Sequence, residues 1–155
     1  MDGVLVVDKP VGVTSHDVVA AARRALHERR IGHTGTLDPM ATGVLPLAIG
    51  RATRLVRFLS SSAKTYEAGI RFGLVTDSYD ITGHTVRESD ARPSERAVRT
   101  AIASCVGEHL QTPPAFSAKK VDGQRAYALA RQDKPVELRP VPVRIDGAEV
   151  LSWSP

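Results

Sequence analysis

The chain contains little cysteine and no long apolar run. Cys105 is the single cysteine among 155 residues, which excludes an intrachain disulfide. It falls on a predicted helical stripe of apolar residues, where a thiol is usually inert, so a core role is favoured over a chemical one. The apolar runs are shorter than the roughly 20 residues that a membrane-spanning helix needs. The amino terminus carries Asp2 where a secretory signal would be basic, so we expect a cytoplasmic protein.

The sequence also lacks the patterns of metal and nucleotide sites. Four histidines have no paired spacing of the kind that binds zinc, namely His16, His27, His84 and His109. There is no Walker motif, and no G-x-G-x-x-G follows a predicted strand. We therefore expect neither a metal ion nor a cofactor.

The composition is that of an ordinary globular domain with a basic surface. Hydrophobic residues make up 42% and charged residues 25% of the chain, which excludes disordered and collagen-like classes. Lysine and arginine number 21 against 17 acids, for a net charge of +4. This balance fits a polyanionic partner such as RNA, although many basic proteins have none.

One carboxylate lies in a segment that is otherwise small and mostly uncharged. Residues 32–45 read GHTGTLDPMATGVL, with Asp38 as the only acid. The glycines permit tight backbone paths and the threonines can hydrogen-bond locally. We expect the carboxylate to be held in a cleft with four apolar walls: Leu37, Met40, Val44 and Leu45. The alternative is a plain helix start, with Asp38 as N-cap and Pro39 at the first helical position.

Two further segments favour a functional site. Residues 8–15 read DKPVGVTS and residues 64–66 read KTY. In this order the three segments resemble the motifs of the bacterial tRNA pseudouridine synthase B family. Similarity continues at residues 76–80 (TDSYD), 113–120 (PPAFSAKK) and 123–127 (GQRAY). Because the motifs are ordered along nearly the whole chain, the resemblance is far more specific than one short motif.

The resemblance implies an enzyme that converts a T-loop uridine of tRNA, at position 55, to pseudouridine. That isomerisation breaks the bond from ribose C1′ to N1 and forms one to C5. It needs a nucleophile or charge stabiliser, a means of holding the detached uracil, and exclusion of water. Asp38 matches the catalytic aspartate, and a carboxylate can act as nucleophile or stabilise a sugar cation. Attack at C1′, attack at C6 and a glycal route all remain open.

The resemblance also implies roles for four substrate-binding residues. Tyr66 would stack on the target base; otherwise it is a core tyrosine at the start of a strand. His33 would insert into the T-loop where the base has flipped out; otherwise it is a loop imidazole hydrogen-bonded to backbone. Lys9 would have a supporting role, pairing with a carboxylate or bracing the Tyr66 region. Lys64 lies beside Tyr66 in the same motif.

The periodicity predicts separate helices and strands, and the resemblance implies an α/β (α+β) fold with a mixed, largely antiparallel sheet and flanking helices. We expect a buried strand over residues 2–7, a helix with a capping box at Thr14 and Asp17, a short helix over 51–59, an alternating strand from Tyr66 to Leu74, a hairpin within 75–93, a helix capped by Ser94 and ending at Gly107, and a strand through 141–145.

Two groups of arginines allow RNA contact. Arg23, Arg24, Arg29 and Arg30 lie near the end of the first predicted helix, where cations also suit the helix dipole. Arg51, Arg54 and Arg57 lie on the short second helix, where they are placed to contact backbone phosphates. Basic and aromatic residues also alternate over 116–131, as in RNA-binding segments.

The chain departs from the family pattern at its end. The family continues with a strand carrying a G-T-Y-I-R motif, whose arginine pairs with the catalytic aspartate, and then an RNA-binding extension. We therefore expect residues 1–155 to be the amino-terminal part of the catalytic domain, with about 114–142 as an RNA-contacting insertion. The expected partners are tRNA, through its T-arm, and the carboxy-terminal half as a separate chain; no membrane is expected.

Two other hypotheses remain. A non-catalytic RNA-binding or tRNA-remodelling fragment would keep the basic and aromatic contacts but lack a complete site. A uracil-modifying enzyme with Cys105 as nucleophile is the third.

Overall fold

The computed structural model describes residues 1–112, 120–121, 124–125 and 139–154. The chain divides into two compact units, Met1–Glu67 and Ala68–Pro155. Most of the predicted RNA-contacting insertion, including the side chains of the basic and aromatic residues at 116–131, lies outside the described residues.

The elements are short strands and a few helices. In chain order they are β1 (Gly3–Lys9), α1 (Ser15–Leu26), β2 (Ile31–His33), β3 (Gly43–Ile49), a 3₁₀ helix (Gly50–Leu55), α2 (Val56–Leu59), β4 (Leu74–Thr76), β5 (Thr85–Glu88), α3 (Glu95–Ser104), β6 (Gly107–Gln111), β7 (Lys120–Val121), β8 (Gln124–Arg125) and β9 (Val141–Ile145). Every strand pair in the described part of the chain is antiparallel. The predicted mixed fold with antiparallel sheet and few helices is confirmed.

The first unit is a three-stranded sheet with α1 packed on one face. The strand order is β1-β3-β2, so β3 is central, and Lys9 of β1 lies opposite Gly43 of β3. The core consists of alternate residues of β3 together with one residue each from α1 and β2: Val19, Ile31, Leu45, Leu47 and Ile49. Half-buried Val18, Ala22 and Leu26 complete the helix side of this core, whereas Ala25 is exposed.

The amino end of α1 has the predicted capping box. The Thr14 hydroxyl accepts from the Asp17 N–H at 3.1 Å, and the Asp17 carboxylate accepts from the Thr14 N–H at 2.8 Å. Each side chain thus satisfies a backbone donor that the helix leaves free. At the other end, Arg23 donates to the Ile31 carbonyl at 2.7 Å and ties α1 to β2.

The prediction of a buried first strand is wrong with respect to burial. β1 forms as expected, but Val4 and Val6 are exposed, Val6 by 63%. The physical reason is that β1 is an edge strand, paired with β3 alone, and α1 covers only one face of the sheet. Alternate residues of β1 therefore point away from the core.

The predicted strand from Tyr66 to Leu74 is also wrong. Residues 63–72 have no regular secondary structure, and a strand begins only at Leu74. Within the described residues, 63–72 form no backbone hydrogen bond. Alternation sets which side chains share a face, but a strand also needs a neighbour with which to exchange backbone hydrogen bonds.

The short helix predicted over residues 51–59 lies in the first unit as a 3₁₀ helix followed by α2, and the second unit contains the remaining predicted elements. β4 and β5 form the expected hairpin, and β6 pairs with β9. Ser94 caps α3, where its hydroxyl accepts from the Ala97 N–H at 3.3 Å. Arg99 bonds both Glu95 and the Val150 carbonyl, which fastens the segment after β9 to α3.

Cys105 is not a core residue. The thiol is exposed, contrary to the expectation from the apolar stripe. α3 ends at Ser104, so Cys105 is the C-cap and lies past the last turn of the helix. Only Val98 of the predicted stripe is fully buried.

Candidate active site

Asp38 lies on the loop that joins β2 to β3. The Ala41 N–H donates to the Asp38 carbonyl at 3.0 Å, which closes a turn with Pro39 at its second position. Asp at the first and Pro at the second position are typical of a β-turn. The chain then enters β3 at Gly43. The alternative of a helix start at Asp38 is therefore wrong.

A buried hydroxyl holds the residue before Asp38. Ser15 is 2% exposed, and its Oγ accepts from the Leu37 N–H at 2.9 Å and donates to the Leu37 carbonyl at 3.2 Å. Ser15 is the first residue of α1, so the helix is fastened directly to the loop. The role of Ser15 is not predicted from the sequence. The missed signal was a polar residue on the same helical stripe as Val19, since a buried hydroxyl needs a partner.

A buried lysine holds the residue after Asp38. The Lys9 side chain is 0% exposed, and its Nζ donates to the carbonyls of Val13 at 2.7 Å, Pro10 at 2.9 Å and Pro39 at 3.4 Å. The Gly12 N–H donates to the same Pro39 carbonyl at 2.7 Å. Within the described residues Lys9 makes no ion pair with a carboxylate. Lys9 instead satisfies backbone carbonyls of two loops.

The carboxylate of Asp38 itself is exposed. It makes no hydrogen bond or ion pair with any side chain that the structure describes. Leu37 and Leu45 pack into the core of the first unit, whereas Met40 and Val44 are exposed, Val44 by 71%. Because successive residues of β3 point to opposite faces, Val44 and Leu45 cannot both line one cleft.

His33 and Lys64 lie beside this loop. His33 ends β2, and its Nδ1 is buried without a hydrogen-bond partner among the described residues, which contradicts the alternative of an imidazole bonded to backbone. A Cβ added at Gly35 would lie 3.4 Å from Lys64 Cε, so Lys64 passes over the loop. Its Nζ donates to the Ser60 and Ser62 carbonyls at 2.9 and 3.0 Å.

Within the described chain, Tyr66 makes no hydrogen bond or aromatic contact with Lys9, His33, Asp38 or Lys64. It is 66% exposed. The structure therefore brings Lys9, His33 and Lys64 to the Asp38 loop and leaves the Tyr66 ring open to solvent.

Among the described residues, the carboxyl groups with perturbed pKa values are Asp17, in the first turn of α1, and Asp80, in a turn of the second unit. Hydrogen bonds from the Thr14 hydroxyl and N–H lower the pKa of Asp17. In the hairpin of the second unit, the Thr82 and Ser78 hydroxyls lower the pKa of Asp80. These shifts mark ordered turns, since hydrogen bonds to the charged form favour ionisation.

Three exposed arginines follow one another at intervals of three residues. Arg51 and Arg54 lie on the 3₁₀ helix and Arg57 on α2. A 3₁₀ helix has three residues per turn, so the first two project from one face. The Arg57 guanidinium lies 4.6 Å from the centre of the Phe58 ring.

The described residues contain neither a membrane-spanning helix nor a metal-binding cluster. No helix there is long and apolar enough to span a membrane. No group of three or more histidine, cysteine or acidic side chains is arranged to hold a metal ion.

A family model matches most of the chain. Residues 23–155 match the model described as TruB family pseudouridylate synthase (N terminal domain). The chain belongs to this family. Two of its TruB relatives are each named tRNA pseudouridine synthase B: that of Solibacter usitatus is 52% identical over 94% of this chain, and that of Aquifex aeolicus is 46% identical over 100%. The chain spans about half the length of these curated relatives, 50% and 54%.

One solved structure supports the fold. A chain in the crystal structure of a Cbf5-Nop10-Gar1 complex is 31% identical to this TruB-family chain, with a TM-score of 0.52. The match covers 76% of this chain and 31% of that one.

Proposed function

We propose that this chain is the amino-terminal part of a tRNA uridine isomerase that converts a T-loop uridine to pseudouridine, with Asp38 as the catalytic carboxylate. The observation that carries the proposal is the placement of Asp38. Its backbone is held on both sides, through Leu37 and Pro39, while its carboxylate is exposed. A fixed and accessible carboxylate can reach a nucleoside that leaves its own stack. Because tRNA is the substrate, we place the reaction in the cytoplasm.

The chemistry needs no oxidant or reductant. The bond from C1′ to N1 breaks, a bond from C1′ to C5 forms, the C5 proton is lost and N1 gains a proton. Asp38 acts either as a nucleophile or by stabilising positive charge on the sugar. A uridine within folded RNA must first flip out, which costs roughly a few kcal/mol in lost stacking.

Neighbouring residues have roles that this chemistry requires. His33, at the start of the loop, occupies the space that the flipped base leaves. Tyr66 has an exposed ring, which is available to stack on the uracil. Lys64 crosses the loop at Gly35, and its position there suits binding of the adjacent backbone phosphate.

The row of three arginines supports an RNA substrate. Arg51, Arg54 and Arg57 are exposed, and none makes an ion pair within the described residues. Exposed guanidinium groups at regular spacing are suited to successive phosphates, because each contact releases bound counterions and so contributes to affinity.

A second function is a non-catalytic RNA-binding or tRNA-remodelling fragment. One observation favours it: in the described residues, no cation contacts the Asp38 carboxylate. A catalytic carboxylate is usually oriented by a charged hydrogen bond.

Tritium release separates the two functions. The substrate is a T-loop stem-loop RNA labelled at C5 of the target uridine, and the proteins are the 155-residue chain, Asp38→Asn and Asp90→Asn. Asp90 is the matched control, because it is an exposed acid outside the motif segments, makes no ion pair within the described residues and has the same charge to lose. We expect release by the wild type and by Asp90→Asn but not by Asp38→Asn, with equal RNA affinity for all three. RNA binding without release by the wild type would favour the non-catalytic function.

A further inference from the structure

We infer that Ser15 is a positioning residue for the Asp38 carboxylate. The inference rests on the proposed function and adds a residue to its site. Ser15 touches neither the carboxylate nor the space in front of it; it acts through the backbone of Leu37.

The two bonds of the Ser15 hydroxyl go to one residue. Oγ accepts from the Leu37 N–H at 2.9 Å and donates to the Leu37 carbonyl at 3.2 Å. A neighbouring strand residue makes the same pair of bonds in an antiparallel ladder. Ser15 therefore replaces a strand partner at a point where the loop has none, and it fixes the peptide plane that precedes Asp38.

The hydroxyl is fixed in turn by its own surroundings. Ser15 is 2% exposed and begins α1 directly after the Thr14 cap, so its backbone is set by the capping box. Its buried position excludes water as a substitute partner, and an unmet buried polar group is costly. On the other side of Asp38, the Gly12 N–H and Lys9 both hold the Pro39 carbonyl. Asp38 is thus held between two anchors, and Ser15 supplies the amino-side one.

Loss of this anchor should affect the chemical step more than RNA binding. A shift of about 1 Å in a catalytic group can reduce a rate about 100-fold. For Ser15→Ala we expect a fall of about 10- to 100-fold in the single-turnover rate of tritium release, with the dissociation constant of the stem-loop RNA unchanged. Ser15→Cys, which retains a weak donor and acceptor of similar size, should recover part of the rate.

Val19→Ala is the control for destabilisation alone. Val19 lies one turn further along the same helix, is buried in the core of the same unit and makes no bond to the loop. We expect it to lower the denaturation midpoint while the single-turnover rate stays within about twofold of wild type. An equal rate loss in Ser15→Ala and Val19→Ala, or no loss in Ser15→Ala, would overturn the inference.

Amide hydrogen exchange provides a readout that does not depend on activity. Ser15→Ala should speed exchange of the Leu37 N–H at least 10-fold, whereas Val19→Ala should change it no more than it changes other amides of the unit. Unchanged Leu37 exchange in Ser15→Ala would contradict the positioning role. A wild type without turnover would instead count against the proposed function, and the exchange data would still decide whether Ser15 holds the loop.

Discussion

Replacing Lys9 with methionine tests whether the buried ammonium holds the loops on either side of it. Methionine keeps an unbranched stem of similar length but cannot donate a hydrogen bond. The carbonyls of Pro10, Val13 and Pro39 would each lose a donor. We expect the Lys9→Met protein to be folded but less stable, with the loss concentrated in the first unit.

The hydrogen-bond distances of Lys9 determine how large the loss of stability should be. The bonds to Val13 at 2.7 Å and Pro10 at 2.9 Å are short and come from a charged donor, and such bonds contribute about 1.5–3 kcal/mol each. The bond to Pro39 at 3.4 Å contributes little, because bonds weaken beyond the usual range. Methionine also avoids the cost of burying a charge, which offsets part of the loss. We therefore expect the free energy of unfolding to fall by about 2–3 kcal/mol.

Lys64→Met is the matched control. Lys64 also donates to two backbone carbonyls, at 2.9 and 3.0 Å, but it is exposed, so water can replace it. Its substitution should cost less than about 0.5 kcal/mol. Urea denaturation followed by far-ultraviolet circular dichroism measures both. Equal losses for Lys9→Met and Lys64→Met would refute the argument that burial makes the Lys9 bonds matter.

Two further predictions concern the capping box and the arginine row. Hydrogen bonds from Thr14 lower the pKa of Asp17, so the stability that this cap supplies is present above the ordinary aspartate pKa of 3.8 and is lost as pH falls through the lower pKa of the folded state. In acid denaturation, the stability of Thr14→Ala should therefore depend less on pH in this range than that of the wild type, and an unchanged profile would contradict the prediction. Arg54→Ala should weaken stem-loop binding and reduce the slope of log affinity against log salt concentration by about 0.7–0.9, while the rate at saturating RNA stays unchanged. The control is Arg144→Ala, which removes an arginine paired with Asp146, and an equal slope for both variants would count against a phosphate contact by Arg54.

The elements predicted correctly are those with local causes. α1 could be predicted because all of its signals are close in sequence: Thr14 and Asp17 mark its start, and its apolar residues follow within three turns. The same holds for α3, which Ser94 caps. Local signals do not determine the residue at which an apolar helix face ends. Cys105 fits the apolar spacing of α3 and is therefore predicted in the core, although it lies beyond the last turn of that helix.

The errors involve pairing between distant residues. β3, the central strand of the first unit, was not predicted, because Pro46 within it argues against a central strand. Pro46 is tolerated because β2 ends opposite Leu47, so on that side of β3 no strand residue needs a donor from Pro46. The Thr34 N–H instead donates to the Pro46 carbonyl. Conversely, the alternation from Tyr66 onward was read as a strand without a known partner, and no strand forms there.

The candidate site depends both on local sequence signals and on contacts between distant residues. The motif containing Asp38 could be recognised by its order and spacing, but what holds Asp38 in place could not, because the anchors come from residues 22 and 30 positions away in sequence: Ser15 for Leu37 and Lys9 for Pro39. Both anchors precede the loop: Lys9 ends β1 and Ser15 begins α1. A mutation in residues 9–15 should therefore change the behaviour of Asp38 without touching it, whereas Met40 and Val44, which lie nearer in sequence, point to solvent and should tolerate polar replacements.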